Sequence, residues 1–258
     1  MSEQGTGRVG TAVALRRYPV KSMLGEELAV AELGPAGLAG DRGLALVDRE
    51  TGRVATAKHP RLWRLLLQCA AVGDGADVRI TLPDGRAFGA GDGVDDALSA
   101  LLGRQVRLTA VRPDGAEVER PAPEDVLDHG VDADVPFATL EIAQGTPGGN
   151  FVDYAPVHLI TTATLDHIGV PALRYRPNLV LDGPDGRPFA ENGWVGREIT
   201  VGGVRLRGIL PTPRCSVPTL EHGDLPRSPR ALRTPLAENR IDVPGFGRCP
   251  ARAGTPRS

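Results

Sequence analysis

Apolar positions along this chain come in short bursts separated by turn residues, with no long periodic stretch. Val13 to Leu15 reads as a brief strand that ends at Tyr18-Pro19, where proline removes a ladder donor. Leu44 to Val47 is a second short strand, and Asp48 to Gly52 (DRETG) is a hairpin-like turn after it. Leu62 to Val72 is strongly apolar, and Val78 to Leu82 alternates as a half-buried strand should. Asp95 to Leu102 predicts a short helix stopped by Gly103, and Val106 to Val111 the strand that follows. Residues 113–125 (PDGAEVERPAPED) are polar, proline-bearing and aperiodic, which predicts a linker.

Beyond that segment, Val157 to Thr161 predicts a strand, Ala163 to Ile168 a short helix, and Asn178 to Leu181 another strand. The clearest hairpin is Glu198 to Leu210, where Ile199 and Val201 alternate before Gly202-Gly203 and Val204 and Leu206 alternate after it. Residues 226–237 read as a loop and a weak helix. Gly247 to Ser258 shows no strand pattern, so a loose tail is expected. The pattern therefore predicts a mainly β protein with short helices: a first domain over 8–112, a linker over 113–125 and a second domain over 126–258.

Composition sharpens this. The 33 glycines and 23 prolines supply the many turns such a fold needs, and aromatics are scarce at 4%. Thirty basic and 32 acidic side chains give a net charge of −2, which argues against a nucleic-acid partner or a polybasic membrane anchor. No run approaches the ~20 apolar residues of a membrane helix. The start MSEQGTGRVG lacks the layout of a signal peptide, so the cytoplasm is the expected location. The three cysteines, Cys69, Cys215 and Cys249, have no CxxC spacing and argue against a disulfide framework, a zinc finger or an iron–sulfur cluster. The five histidines are scattered, and no HExxH, GxSxG or P-loop occurs.

Cys215 stands out. It closes Pro211-Thr-Pro-Arg-Cys at the end of the second hairpin strand, beside the Arg214 guanidinium, where a thiolate would be favoured. Burial as a small hydrophobe is an equal reading. Lys21 and Ser22 follow a proline-ended strand and suit an oxyanion, although an ordinary solvated lysine is the better single reading. Gly40-Asp41-Arg42 taken alone is a turn with a surface charge pair. Thr161, Thr162 and Thr164 sit at a strand-to-helix junction, where capping competes with anion binding. Arg174, Arg176 and Asn178 precede a strand and suit phosphate or heterocycle recognition. Together they describe a thiolate candidate with anion-binding groups at strand ends.

The ordered set Tyr-Pro-Val-Lys-Ser (18–22), Gly-Asp-Arg (40–42), Arg-Pro-Asn (176–178), Trp194 with Gly196, and Pro-Arg-Cys (213–215) resembles the MOSC family, named for the C-terminal domain of molybdenum cofactor sulfurase, with its preceding MOSC N-terminal β-barrel domain. The similarity spans about residues 10–245. The resemblance implies two β-barrel-like domains with a cofactor cleft between them. It extends to the mitochondrial amidoxime-reducing component and its bacterial relatives, and it implies a molybdenum cofactor (Mo-molybdopterin) with Cys215 as the metal ligand. Lys21, Ser22, Arg42, Thr161, Thr162, Thr164, Arg176, Asn178 and Arg214 are then the implied cofactor contacts. The implied reaction is reduction of a small N-hydroxylated substrate. With no ferredoxin domain here, electrons would come from a separate redox protein, ferredoxin or cytochrome b5-like with its reductase.

Two departures bear on this. Ser216 to Asp224 replaces the Thr-Thr-Val-Asp-Pro-like stretch of reductase members. After Phe246-Gly247 the chain reads GRCPARAGTPRS, so a closing strand segment is expected to be missing. Two other functions remain open: a sulfur carrier or transferase using a Cys215 persulfide, and a non-catalytic cofactor-binding protein.

Overall fold

A computed structural model describes residues 10–91, 93–183, 186–243 and 247–250. Glycine and proline cut the chain into strands of two to seven residues and helices of four to nine. The first strand, Thr11–Arg17, lies between Glu26–Glu27 and Leu179–Asp182, antiparallel to both. Leu179–Asp182 runs parallel to Leu159–Thr161. A parallel pair needs a crossover, supplied by the helix Thr162–Ile168 and the turn Ala172–Tyr175. The start of the chain thus shares one sheet with two strands from its second part.

Ala45–Asp48 pairs with Val106–Thr109, and Ala70–Val72, Arg79–Thr81 and Ala87–Gly89 form an antiparallel meander. Helix Val94–Leu102 ends at Gly103, which takes the left-handed conformation at φ 65° that releases a helix without a Cβ penalty. Val20, Met23, Leu46, Trp63, Leu66, Ile80 and Leu98 form the core of this region. The predicted hairpin is present as Glu198–Val201 and Val204–Arg207, with Gly202 at φ 57° in its turn. Ile199 points inward at 2% exposure, whereas Glu198 and Thr200 face outward.

Three expectations need correction. Among the described residues the strands fall into seven small sheets and no closed barrel forms. Closure requires a continuous staggered ladder around the ring, and ladders this short do not provide one. The segment 113–125 is not structureless. Glu117–Pro121 pairs with Phe137–Glu141, and Pro123–His129 is a helix. Its polar look arises because Glu117 and Glu119 meet Arg53, while Val118 turns inward. There Ala116, Val118, Ile142 and Phe151 share a core with Ala45, Val47 and Val54. Finally, Gly247–Pro250 forms a strand against Arg240–Val243, where a loose tail was expected. Phe246 and residues 251–258 lie outside the described residues.

Candidate functional site

The two opening motifs are locked together by one carboxylate. Buried Asp41 accepts from the Tyr18 N–H through Oδ1 at 2.8 Å and pairs through Oδ2 with the Arg42 guanidinium. The Arg42 N–H returns to the Tyr18 carbonyl at 2.7 Å, and the Lys21 N–H donates to Leu44 at 2.8 Å. What reads in the sequence as an ordinary turn is therefore a clamp that presents Lys21, Ser22 and Arg42 on one wall.

Arg176 completes this wall from the far side of the sequence. It donates to the Met23 carbonyl, and its own carbonyl accepts from Arg42 Nη2 at 3.1 Å. The Tyr18 ring lies between two guanidiniums, 5.0 Å from Arg42 and 4.3 Å from Arg176. Burial and then the neighbouring Arg42 pull Arg176 down to about 10. Its Nη2 is buried without a partner, so the wall holds a cationic donor ready for an acceptor. Asn178 is spent on structure: its Oδ1 accepts from the His158 N–H at 3.1 Å and its Nδ2 donates to the Arg16 carbonyl at 3.2 Å.

Lys21, only 4% exposed, donates to the Phe151 carbonyl at 2.8 Å and to Asp153 Oδ1 at 2.7 Å. Lys58 reaches the same carboxylate oxygen at 2.9 Å. Burial pulls the Lys21 ammonium down to about 8, against the attraction of Asp153. Desolvation works to raise Asp153, but the two ammoniums outweigh it and hold the carboxyl well below its ordinary range. Ser22 Oγ accepts from the Ala57 N–H at 3.0 Å, leaving its own proton to donate.

Cys215 is half-buried, with its inner side against Ala57, Leu67, Val217 and Leu220. Next to it, the Arg214 guanidinium stacks 4.6 Å from the Tyr175 ring centre and lies 3.4 Å from His158 Nε2. Burial, then Arg214 and Arg42, press His158 down to about 3, so the ring is neutral at pH 7 and Nε2 serves as an acceptor.

These groups line one cleft of about 810 Å³, to which Lys21, Ser22, Arg42, Arg176, Asn178, Arg214 and Cys215 all contribute. Trp194 lines it too. Nine Lys or Arg side chains border the cleft against three Asp or Glu, so a chain with a net charge of −2 concentrates positive charge there. Of the five described non-glycine residues at positive φ, Ser22, Arg42, Arg176 and Phe189 line the cleft, and only Ala143 does not. Such backbone costs about 1–3 kcal/mol per residue and collects where geometry serves a site rather than the fold.

The three threonines do not line the cleft. Thr161 caps the helix, its Oγ1 accepting from the Thr164 N–H at 3.2 Å. Both hydroxyls also contact Glu191 Oε2, and Thr162 donates to Asp182 at 2.8 Å. Their reach toward the cleft is indirect, through Glu191, which does line it. Arg174 is likewise diverted from anion binding: buried, it donates to the carbonyls of Leu220 and Pro226 and pins the loop after Cys215. Lys58, Asp153 and His158 were missed by sequence reasoning. Each is a single polar residue without a motif, and only the packed chain brings it to the others.

Among the described residues no three His, Cys, Asp or Glu side chains gather as a metal cage, and no helix is long and apolar enough to cross a membrane. Residues 9–105 match the family model of the MOSC N-terminal beta barrel domain. MOSC domains are associated with the molybdenum cofactor. No curated protein matches the chain.

Proposed function

We propose that this chain, with a MOSC N-terminal beta barrel domain in its first part, is a molybdenum-cofactor-dependent oxidoreductase that reduces N-hydroxylated compounds. One observation carries the reading: Lys21, Arg42, Arg176, Arg214 and Cys215, up to 194 positions apart in sequence, line the same cationic cleft. The donor set fits the group. Arg176 Nη2 is a buried cation donor without an acceptor, and Lys21, Lys58 and Ser22 offer further protons to a phosphate. A metal here would take one protein ligand, the Cys215 sulfur, a soft donor suited to a thiophilic metal.

When bound, the cofactor supplies two-electron redox chemistry at its metal. The substrate N–O bond is broken, two electrons and two protons are consumed, and amine and water leave. Neutral His158 holds Arg214 by accepting at Nε2, so the guanidinium beside Cys215 keeps its direction. Asp153 gathers the Lys21 and Lys58 ammoniums on one carboxylate oxygen at the edge of the cleft. The two electrons are supplied by a redox protein of the ferredoxin or cytochrome b5-like kind.

The test is elemental analysis and pterin fluorescence of protein purified from a cofactor-competent host, wild type beside Cys215→Ala. The wild type is expected to hold about one molybdenum per chain and the variant to lose the metal while staying folded, since one small, half-buried side chain is removed. Metal-free wild type, or sulfane sulfur on Cys215 in place of metal, would refute the reading.

A further inference from the structure

The rim of the cleft differs in character from its inner wall. Arg205 and Arg207 on the strand Val204–Arg207 are exposed and line the cleft. No ion pair or hydrogen bond engages either among the described residues. Glu198 stands opposite Arg207 in the register without pairing with it, and Thr200 stands opposite Arg205. The three acids of the lining are already occupied: Asp153 by two lysines, Glu191 by Thr161 and Thr164, Glu141 by Gln144. These two guanidiniums are therefore uncompensated positive charge facing a concave space.

Beside them runs Trp194-Val195. The Gly196 N–H donates to the Gly208 carbonyl at 2.8 Å, and the Gly208 N–H to Arg197 at 3.0 Å. A Cβ at Gly208 would fall 2.2 Å from the Trp194 carbonyl, so glycine is what lets the two segments touch. Val195 and Ile209, exposed by 38% and 48%, flank the contact. The rim thus joins an indole, two exposed aliphatic side chains and two free guanidinium forks. Such forks read carboxylate or phosphate oxygens bidentately, and an indole accepts a flat ring.

Resting on the proposed reduction of N-hydroxylated compounds, we propose that the rim selects substrates that carry a flat ring and an anionic group, with Arg205 and Arg207 on the anion and Trp194 against the ring. A small ligand fits better than a protein surface, because both arginines border a cavity rather than a flat face.

Fluorescence of Trp194 reports binding directly, since the other tryptophan, Trp63, is 3% exposed in the core. The full chain purified from cofactor-competent cells is titrated with benzamidoxime against its 4-carboxylate, and with N4-hydroxycytidine against its 5′-monophosphate. Each anionic member of a pair is expected to bind about tenfold more tightly than its neutral counterpart. The carboxylate and phosphate arms show which anion is preferred. Arg205→Gln with Arg207→Gln is expected to erase the preference while leaving neutral-ligand binding and metal content unchanged. Equal affinity within both pairs overturns the proposal. So does a double variant that keeps the preference and instead weakens only the response to an acidic electron-donor protein. Metal-free protein that still shows the arginine-dependent preference would refute the cofactor reading alone, and metal-loaded protein without it would refute the rim alone.

Discussion

Lys21 is buried to 4% exposure, and its pKa falls from the ordinary 10.5 to about 8. Between those values the unfolded chain binds a proton that the folded chain does not, so stability rises with pH across this window. Below about 8 the buried ammonium carries its full penalty, and the penalty fades as pH climbs toward 10.5. At ~1.4 kcal/mol per pKa unit, wild type should gain about 2.5 kcal/mol between pH 7 and pH 10 from this group. Lys21→Met keeps the aliphatic stem and removes the ammonium. Asp153 retains Lys58 as a partner, and its half-exposed side chain stays partly solvated, so the variant leaves no buried unpaired charge. Urea unfolding of both proteins at pH 7 and pH 10 reads the effect, because titrating groups that do not touch Lys21 or its partner Asp153 cancel in the difference. Lys21→Met is expected to match or exceed wild type at pH 7 and to lose that advantage by pH 10. It is also expected to weaken binding of inorganic pyrophosphate in the cleft. A gap between the two proteins that does not change with pH would refute the reasoning, and so would a variant less stable at pH 7 than at pH 10 relative to wild type. The outcome matters because it separates two roles: a lysine kept against a stability cost serves the cleft, whereas a stabilising lysine serves the fold.

Further predictions follow from single contacts. Thr161→Val removes the cap of the helix Thr162–Ile168 and one partner of Glu191, and should cost about 1–2 kcal/mol in chemical denaturation while leaving Cys215 in place. Gly208→Ala places a methyl 2.2 Å from the Trp194 carbonyl and should both destabilise the protein and shift Trp194 emission, whereas Gly203→Ala, with open space at its Cβ, should leave that emission unchanged. Burial pushes the Cys69 thiol up to about 12, so iodoacetamide at pH 8 should spare Cys69 in folded protein and modify it only after unfolding, as peptide mass mapping would show.

The sequence by itself determined the local elements whose signals are short-range. The hairpin at Gly202-Gly203, the helix stopped at Gly103 and the alternation at Val78 to Leu82 depend on φ freedom and a period-two pattern, both legible within a few residues. It also named several groups of the cleft, because Lys21, Arg42, Arg176 and Cys215 stand in short ordered motifs. Tertiary packing decided the rest. Glu117–Pro121 looked like linker because the partners of its acidic face, such as Arg53, lie more than sixty positions away. Threonines that read first as helix caps and second as anion donors were turned onto the helix and Glu191, and Arg174 was taken by the carbonyls of Leu220 and Pro226. Whether a polar side chain faces a ligand or satisfies a buried neighbour depends on which unpaired groups the folded chain brings beside it. That is a long-range hydrogen-bond and charge balance, and no local pattern encodes it.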